Sequence, residues 1–271
     1  MGGNILLAFG LTLLAGLSTG IGGAIAFFTK RTNTKFLSVA LGFSAGVMIY
    51  ISFMELLADA QETLITEMGS GKGMIVALVA FFGGMLFIAL IDKLVPDAEN
   101  PHEARRVEDM KGDEPPDWMN KKSLMRVGMF TALAVSIHNF PEGFATFMAT
   151  LRDPSLGVSI AIAIAIHNIP EGIAVSLPVY YATGSRSKAF LYSFLSGLSE
   201  PAGALIGYLI LMPFLSEVMF GIVFAAVAGI MVYISFDQLL PTAREYGEHH
   251  LSIYGLVAGM IVMSISLLLF G

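Results

Sequence analysis

The chain has 271 residues, 55% hydrophobic and only 13% charged, with a mean hydropathy of +0.75. Soluble domains carry about 45–50% apolar and about 25% charged residues, so composition excludes an ordinary water-soluble globule. With no cysteine there are no disulfides and no thiolate metal sites, and the net charge of −6 speaks against nucleic acid as a partner.

Apolar stretches near the ~20 residues needed to cross a bilayer predict eight transmembrane helices, at about 5–28, 35–57, 74–94, 124–148, 157–180, 189–212, 218–240 and 252–270. Short alternating segments of the β-barrel kind are missing, so the expected fold class is an all-α polytopic membrane protein with a single transmembrane domain over residues 1–271. The first stretch has no basic region ahead of it and reads as a span, not a cleaved signal peptide.

Between spans three and four lies a charged, proline-rich segment, about 95–123, expected to form a flexible loop. Lysine and arginine fix direction. Thirteen of the fifteen fall after spans one, three, five and seven, and only Lys72 and Arg152 fall after the even spans. The odd loops, the long one included, are therefore expected in the cytoplasm, with both termini extracytoplasmic, in a cell (inner or plasma) membrane.

Span two, "AGVMIYISFMELLADA" from Ala45, returns in span seven as "AGIMVYISFDQLLPTA" from Ala228, identical at ten of sixteen positions. Span one, "LAGLSTGIGGAIA" from Leu14, is echoed by "LSGLSEPAGALIG" from Leu195 in span six, identical at six of thirteen. Spans five apart cross in opposite directions. The expectation is an inverted repeat in a 3+2+3 arrangement around a central pair, a layout that secondary transporters use with the substrate near the midplane.

The central pair carries the chemistry. Span four contains "SIHNFPEG" from Ser136 and span five "AIHNIPEG" from Ala165. Residues four and three apart share a helical face, so His138 and Asn139 align with Glu142, and His167 and Asn168 with Glu171. Imidazole and carboxylate suit Zn²⁺ and related divalent ions, while amide and carboxylate oxygens form a harder set. Pro141 and Pro170 withdraw backbone donors from Ile137 and Ile166, which bends a helix and frees carbonyl oxygen. Span six adds Glu200 before Pro201, with Thr19 as its counterpart in span one.

An ionised carboxylate at a helix centre costs roughly 2.5–3.5 kcal/mol. Glu142, Glu171 and Glu200 together cost about 8–10 kcal/mol on that scale, comparable with the net stability of a whole domain. Protons, partners or cations must offset it. Hydrogen bonding between helices is the bland alternative, and two copies of the motif argue against it.

Further positions carry weaker signals. Met48 and its repeat partner Met231 are core filler or a soft ligand; Glu55, Asp237 and Gln238 flank them. Asp59, Glu62 and Glu67 read as solvated or as cation-attracting acids. Glu245 and His249 stand four apart in "REYGEHH", as if to receive departing ions.

Paired H-N-x-P-E-G helices followed by S-x-x-E-P resemble the ZIP (Zrt-/Irt-like) family of divalent-metal transporters, and within it the bacterial ZupT branch, over essentially the whole chain. The resemblance implies import of zinc, with iron, manganese, cobalt or cadmium also open, through a binuclear midplane centre. His138, Glu142, His167 and Glu171 would form one metal position, with Met48 as an extra ligand. Asn139, Glu142, Asn168, Glu171 and Glu200 would form the other. No prosthetic group is expected beyond the transported metal. The expected partners are divalent metal ions and the lipid bilayer, with a homodimer also open. An intramembrane zinc-dependent hydrolase is the alternative, weakened by the lack of an H-E-x-x-H motif, and a gated channel is a third.

Overall fold

A computed structural model describes residues 2–25, 34–94, 121–211, 216–246 and 249–270. Among them every element is helical: α1 (Gly2–Ile25), α2 (Thr34–Ile51), α3 (Leu57–Met68), α4 (Ser70–Leu94), α5 (Lys121–Arg152), α6 (Pro154–Thr183), α7 (Arg186–Gly197), α8 (Ser199–Leu211), α9 (Glu217–Ile234), α10 (Leu240–Tyr246) and α11 (His249–Phe270). One π-helical turn, Ser52–Leu56, joins α2 to α3, and another, Ser235–Leu239, joins α9 to α10. The two turns stand 183 residues apart, which is the offset of the YISF echo. Single π turns recur at functional sites because they re-aim the side chains that follow.

Among the described residues, six stretches are long and apolar enough to cross a membrane: Asn4–Ala24, Lys35–Met68, Ser70–Lys93, Pro154–Leu177, Glu217–Arg244 and His250–Leu269. The expected spans four and six correspond to α5 and to α7 with α8, which are not among the six. In α5 the histidine, asparagine, glutamate and terminal basic residues lower the hydropathy, and the sixth span is interrupted between Gly197 and Ser199. Span two also runs further than expected. Helix continues to Met68, so Asp59, Glu62 and Glu67 sit on α3 and not in a solvated loop. The loop expected at 95–123 falls outside the described residues except for Lys121–Ser123, which open α5.

Caps set the ends. Asp153 accepts from Ser155 N (2.8 Å) with Pro154 in the first turn of α6, an arrangement that supplies an orphan donor with an acceptor and wastes no proline N–H. That helix ends at Gly184, whose φ of 64° suits glycine.

At the centre α5 packs on α6. Helix α1 lies along α6 and reaches α5, while α8 lies along α5, and α7 along α6 with contacts to α5. Outside them α2 pairs with α11 and α4 with α9, and α2 meets α6 as α9 meets α5. Close approaches come in matched pairs. A Cβ on Gly16 would stand 2.4 Å from the Gly197 carbonyl oxygen, and one on Gly197 would stand 2.2 Å from that of Gly16. A Cβ on Gly46 would stand 2.0 Å from the Leu256 carbonyl oxygen, and one on Gly229, 183 residues later, 1.9 Å from that of Phe81.

At one end of α5, Arg152 donates to Asp59 Oδ2 (2.6 Å) and Thr63 Oγ1 (3.0 Å) on α3, and its guanidinium lies 3.9 Å from Glu217 Oε2 at the start of α9. The group is partly solvated, so water screens most of the attraction. A double-mutant cycle of Arg152→Ala with Asp59→Ala is expected to return a coupling below about 1 kcal/mol in thermal unfolding.

Candidate metal site

The site grows from the crossing of α5 and α6. Each helix turns its His and Glu inward because the opposite residues, such as Phe140 and Ile169, are apolar and less buried. His138, Asn139, Glu142, His167, Asn168, Glu171 and Glu200 are all buried, none more than 5% exposed. Such groups are tolerated at depth only when paired.

Glu142 is the hub. Its Oε2 lies 3.2 Å from His167 Nε2 on the neighbouring helix, and its Oε1 lies 3.2 Å from His138 Nε2 on its own. His138 Nε2 also donates to Glu171 Oε1 at 3.0 Å. Thus each imidazole bonds the glutamate of the opposite helix. The ring centroids stand 6.5 Å apart, and one ligand atom each from His138, Glu142 and His167 falls within 4.8 Å of the others. Both Nδ1 atoms are buried without a partner. A tetrahedral Zn²⁺ with bonds of about 2.0–2.2 Å holds its ligands roughly 3.3–3.6 Å apart. The 3.0–3.2 Å histidine–glutamate contacts are close to that spacing.

The asparagines divide their roles. Asn168 Nδ2 donates to the Ala15 carbonyl (2.9 Å) and, over a short contact, to Glu200 Oε1. This ties α6 to α1 and α8. Asn139, with its amide oriented so that nitrogen donates, reaches Glu171 Oε2 at 3.2 Å and the Val135 carbonyl at 3.1 Å. Glu171 is thereby held between His138 and Asn139. Glu200 Oε2 and Asn168 Oδ1 are buried without a hydrogen-bond partner. Thr19, the repeat counterpart of Glu200, likewise has an unpartnered buried hydroxyl.

Met48 is fully buried on α2, one turn from Ser44, whose hydroxyl donates to the His167 carbonyl at 3.2 Å. Ser44 was not singled out from the sequence, where a serine among small residues gives no signal. Glu55 sits in the first π turn, half-buried, and Asp237 in the second, exposed. The side chains of Glu245 and His249 lie outside the described residues.

A family model described as "ZIP Zinc transporter" matches residues 4–123 and 96–267. The chain is 63% identical over 269 residues to "Zinc transporter ZupT" of Lysinibacillus sphaericus, covering 99% of each chain. It is 60% identical over 276 residues to the protein of that name from Clostridium perfringens, covering 98% and 97%. The Streptococcus mutans protein of that name is 58% identical over 270 residues, with both chains covered in full. Identity at this level along the whole length leaves no room for the hydrolase alternative. A helical chain with a buried His–Glu crossing and these relatives belongs to the ZIP zinc transporter family, in its ZupT branch, and is a membrane transporter, not an enzyme.

Proposed function

We propose that the chain imports divalent transition-metal ions, zinc foremost, into the cytoplasm by alternating access. The observation that carries this reading is the buried crossing in which Glu142 lies between the imidazoles of His138 and His167. A first ion is held by His138, Glu142, His167 and Glu171, with Met48 alongside. A second is held by Asn139, Asn168, Glu200 and the two shared glutamates, a reading supported by the buried oxygens of Glu200 and Asn168 that have no hydrogen-bond partner. Nitrogen and oxygen donors without thiolate also accept Fe²⁺, Mn²⁺, Co²⁺ and Cd²⁺.

The scaffold is an eight-span 3+2+3 inverted repeat, supported by the matched glycine approaches and the two π turns at equivalent positions. The termini face outward and the odd loops face the cytoplasm, as the basic residues require. Coordination neutralises carboxylates that are costly when bare. The loaded centre therefore crosses between outward and inward states more readily than an empty one.

Sealed proteoliposomes test this reading directly. Accumulation of isotopic zinc that saturates and depends steeply on temperature supports a carrier; linear flux with a shallow temperature dependence identifies a pore and overturns it. Asn168→Ala leaves Glu200 and the Ala15 carbonyl without their donor. It is expected to weaken apparent metal affinity by about 10–100-fold, the range for a residue that orients a ligand, while zinc still accumulates at high concentration.

A further inference from the structure

The outer helices meet the central pair unevenly. Helix α11 packs against α6, but α4 makes no comparable contact with α5. Ile88 of α4 joins only a small apolar cluster with Ile230 and Ile234, whereas Met263, the residue 175 positions on in α11, belongs to the main core. The same offset of 175 relates Gly84 to Gly259, whose close approaches are to Ala226 and Phe43. Between α4 and α5 the structure leaves a groove of about 530 Å³, floored by Val227 of α9 and walled by Ile88, Ile137, Phe140 and Phe144. That size is within the roughly 300–1,000 Å³ of ligand-holding clefts.

The chemistry of the walls identifies the occupant. Two serines line the groove, and both hydroxyls are spent on their own helices: Ser136 Oγ donates to the Ala132 carbonyl (2.7 Å) and Ser199 Oγ to that of Ser196 (2.6 Å). Among the described lining residues the surface facing the groove is almost wholly apolar, which suits hydrocarbon and not a headgroup or a metal. The open side continues into the outer face of α4, where Phe82, Leu86, Phe87 and Leu90 are each more than half exposed. In a membrane transporter such a face meets lipid hydrocarbon.

We propose that this groove is a binding site for one hydrocarbon tail of a bilayer lipid. The tail enters from the α4 face and packs behind the metal-bearing segment. Ile137 directly precedes His138, Phe140 and Pro141 lie between Asn139 and Glu142, and Ser199 precedes Glu200, so the occupant supports the side of the site that the missing α4–α5 contact leaves bare. The inference concerns binding and stands whether or not the transported ion is zinc.

The test uses the full chain in phosphatidylcholine vesicles doped with phosphatidylcholine bearing a photoactivated diazirine in mid-tail, followed by mass-spectrometric mapping. Label is expected on Val227 and Ile137 in addition to the exposed Leu86 and Leu90. Ser136→Phe, which fills the groove, is expected to cut label at Val227 roughly tenfold, equivalent to losing about two buried CH₂ groups, with Leu86 and Leu90 unchanged. Label confined to Leu86 and Leu90 in the unsubstituted chain overturns the proposal, whatever the variant does. So does undiminished Val227 labelling in a folded Ser136→Phe chain.

Discussion

Glu142→Gln is expected to bring zinc uptake in proteoliposomes down to the level of empty vesicles, with the melting temperature little changed. The amide keeps the volume and one acceptor of the carboxylate, so the packing around a residue only 1% exposed survives. What disappears is the negative charge that both imidazoles share. Residues that only orient a metal ligand are worth about 10–100-fold in affinity. A bridging ligand that meets both histidines is expected to exceed that range, so more than about 100-fold is the anticipated loss. Comparing Glu142→Gln with His138→Gln separates the roles. The histidine change leaves His167, Glu142 and Glu171 in place and should be the milder of the two. Uptake by Glu142→Gln within a few-fold of the unchanged chain would remove Glu142 from the transport site.

The second large effect is steric. Gly143→Ala puts a methyl group against the backbone of α8, 2.1 Å from the Glu200 carbonyl oxygen and 2.4 Å from its Cα. Gly172→Ala does the same against α1, 1.9 Å from the Thr19 carbonyl oxygen. Backbone cannot swing aside as a side chain does, so the helices must separate. Overpacking of this kind costs about 1–3 kcal/mol and occasionally more, which corresponds to a melting temperature lower by about 6–12 °C at the upper end. The two substitutions differ in function. Gly143→Ala displaces the helix that carries Glu200 and should also depress uptake at limiting zinc. Gly172→Ala moves Thr19, which contributes no carboxylate, so it should lose stability with a smaller loss of uptake. Thermal unfolding in detergent and initial uptake rates measured on the same preparations separate these effects. Unshifted melting in both variants would mean that α5 and α8 are not packed as described.

The tight glycines also explain why the site is rigid enough to hold unpaired polar atoms. Small residues let helix backbones approach closely in a membrane, where no hydrophobic force drives helices together. The motif supplies both ingredients within six residues: proposed ligands at its first and fifth positions and a glycine at its sixth. Chemistry and packing are therefore coupled along one turn of α5, and again along α6.

Much of the molecule was legible as sequence, for physical reasons that can be named. Hydrophobicity over ~20 residues is a local property, so membrane class and most spans could be read directly. The expected spans four and six are helical where they were read, as α5 and as α7 with α8; the polar residues of α5 lower its hydropathy, and a break at Leu198 divides the sixth span. The continuation of span two through a π turn to Met68 left no local signal, because a π turn changes hydrogen-bond register and not composition.

At the site the spacing of His138 with Glu142, and of His167 with Glu171, follows from the helical repeat alone. Which glutamate meets which histidine does not. Only the crossing of α5 and α6 sets His167 against Glu142 and His138 against Glu171. Only the close seat of α8 at Gly143 brings Glu200 to Asn168, and Ser44 has meaning solely through the contact of α2 with the His167 carbonyl. Side-chain spacing along one helix is a property of the chain. Contact between helices depends on how backbones pack at small residues, and that is decided by the whole bundle.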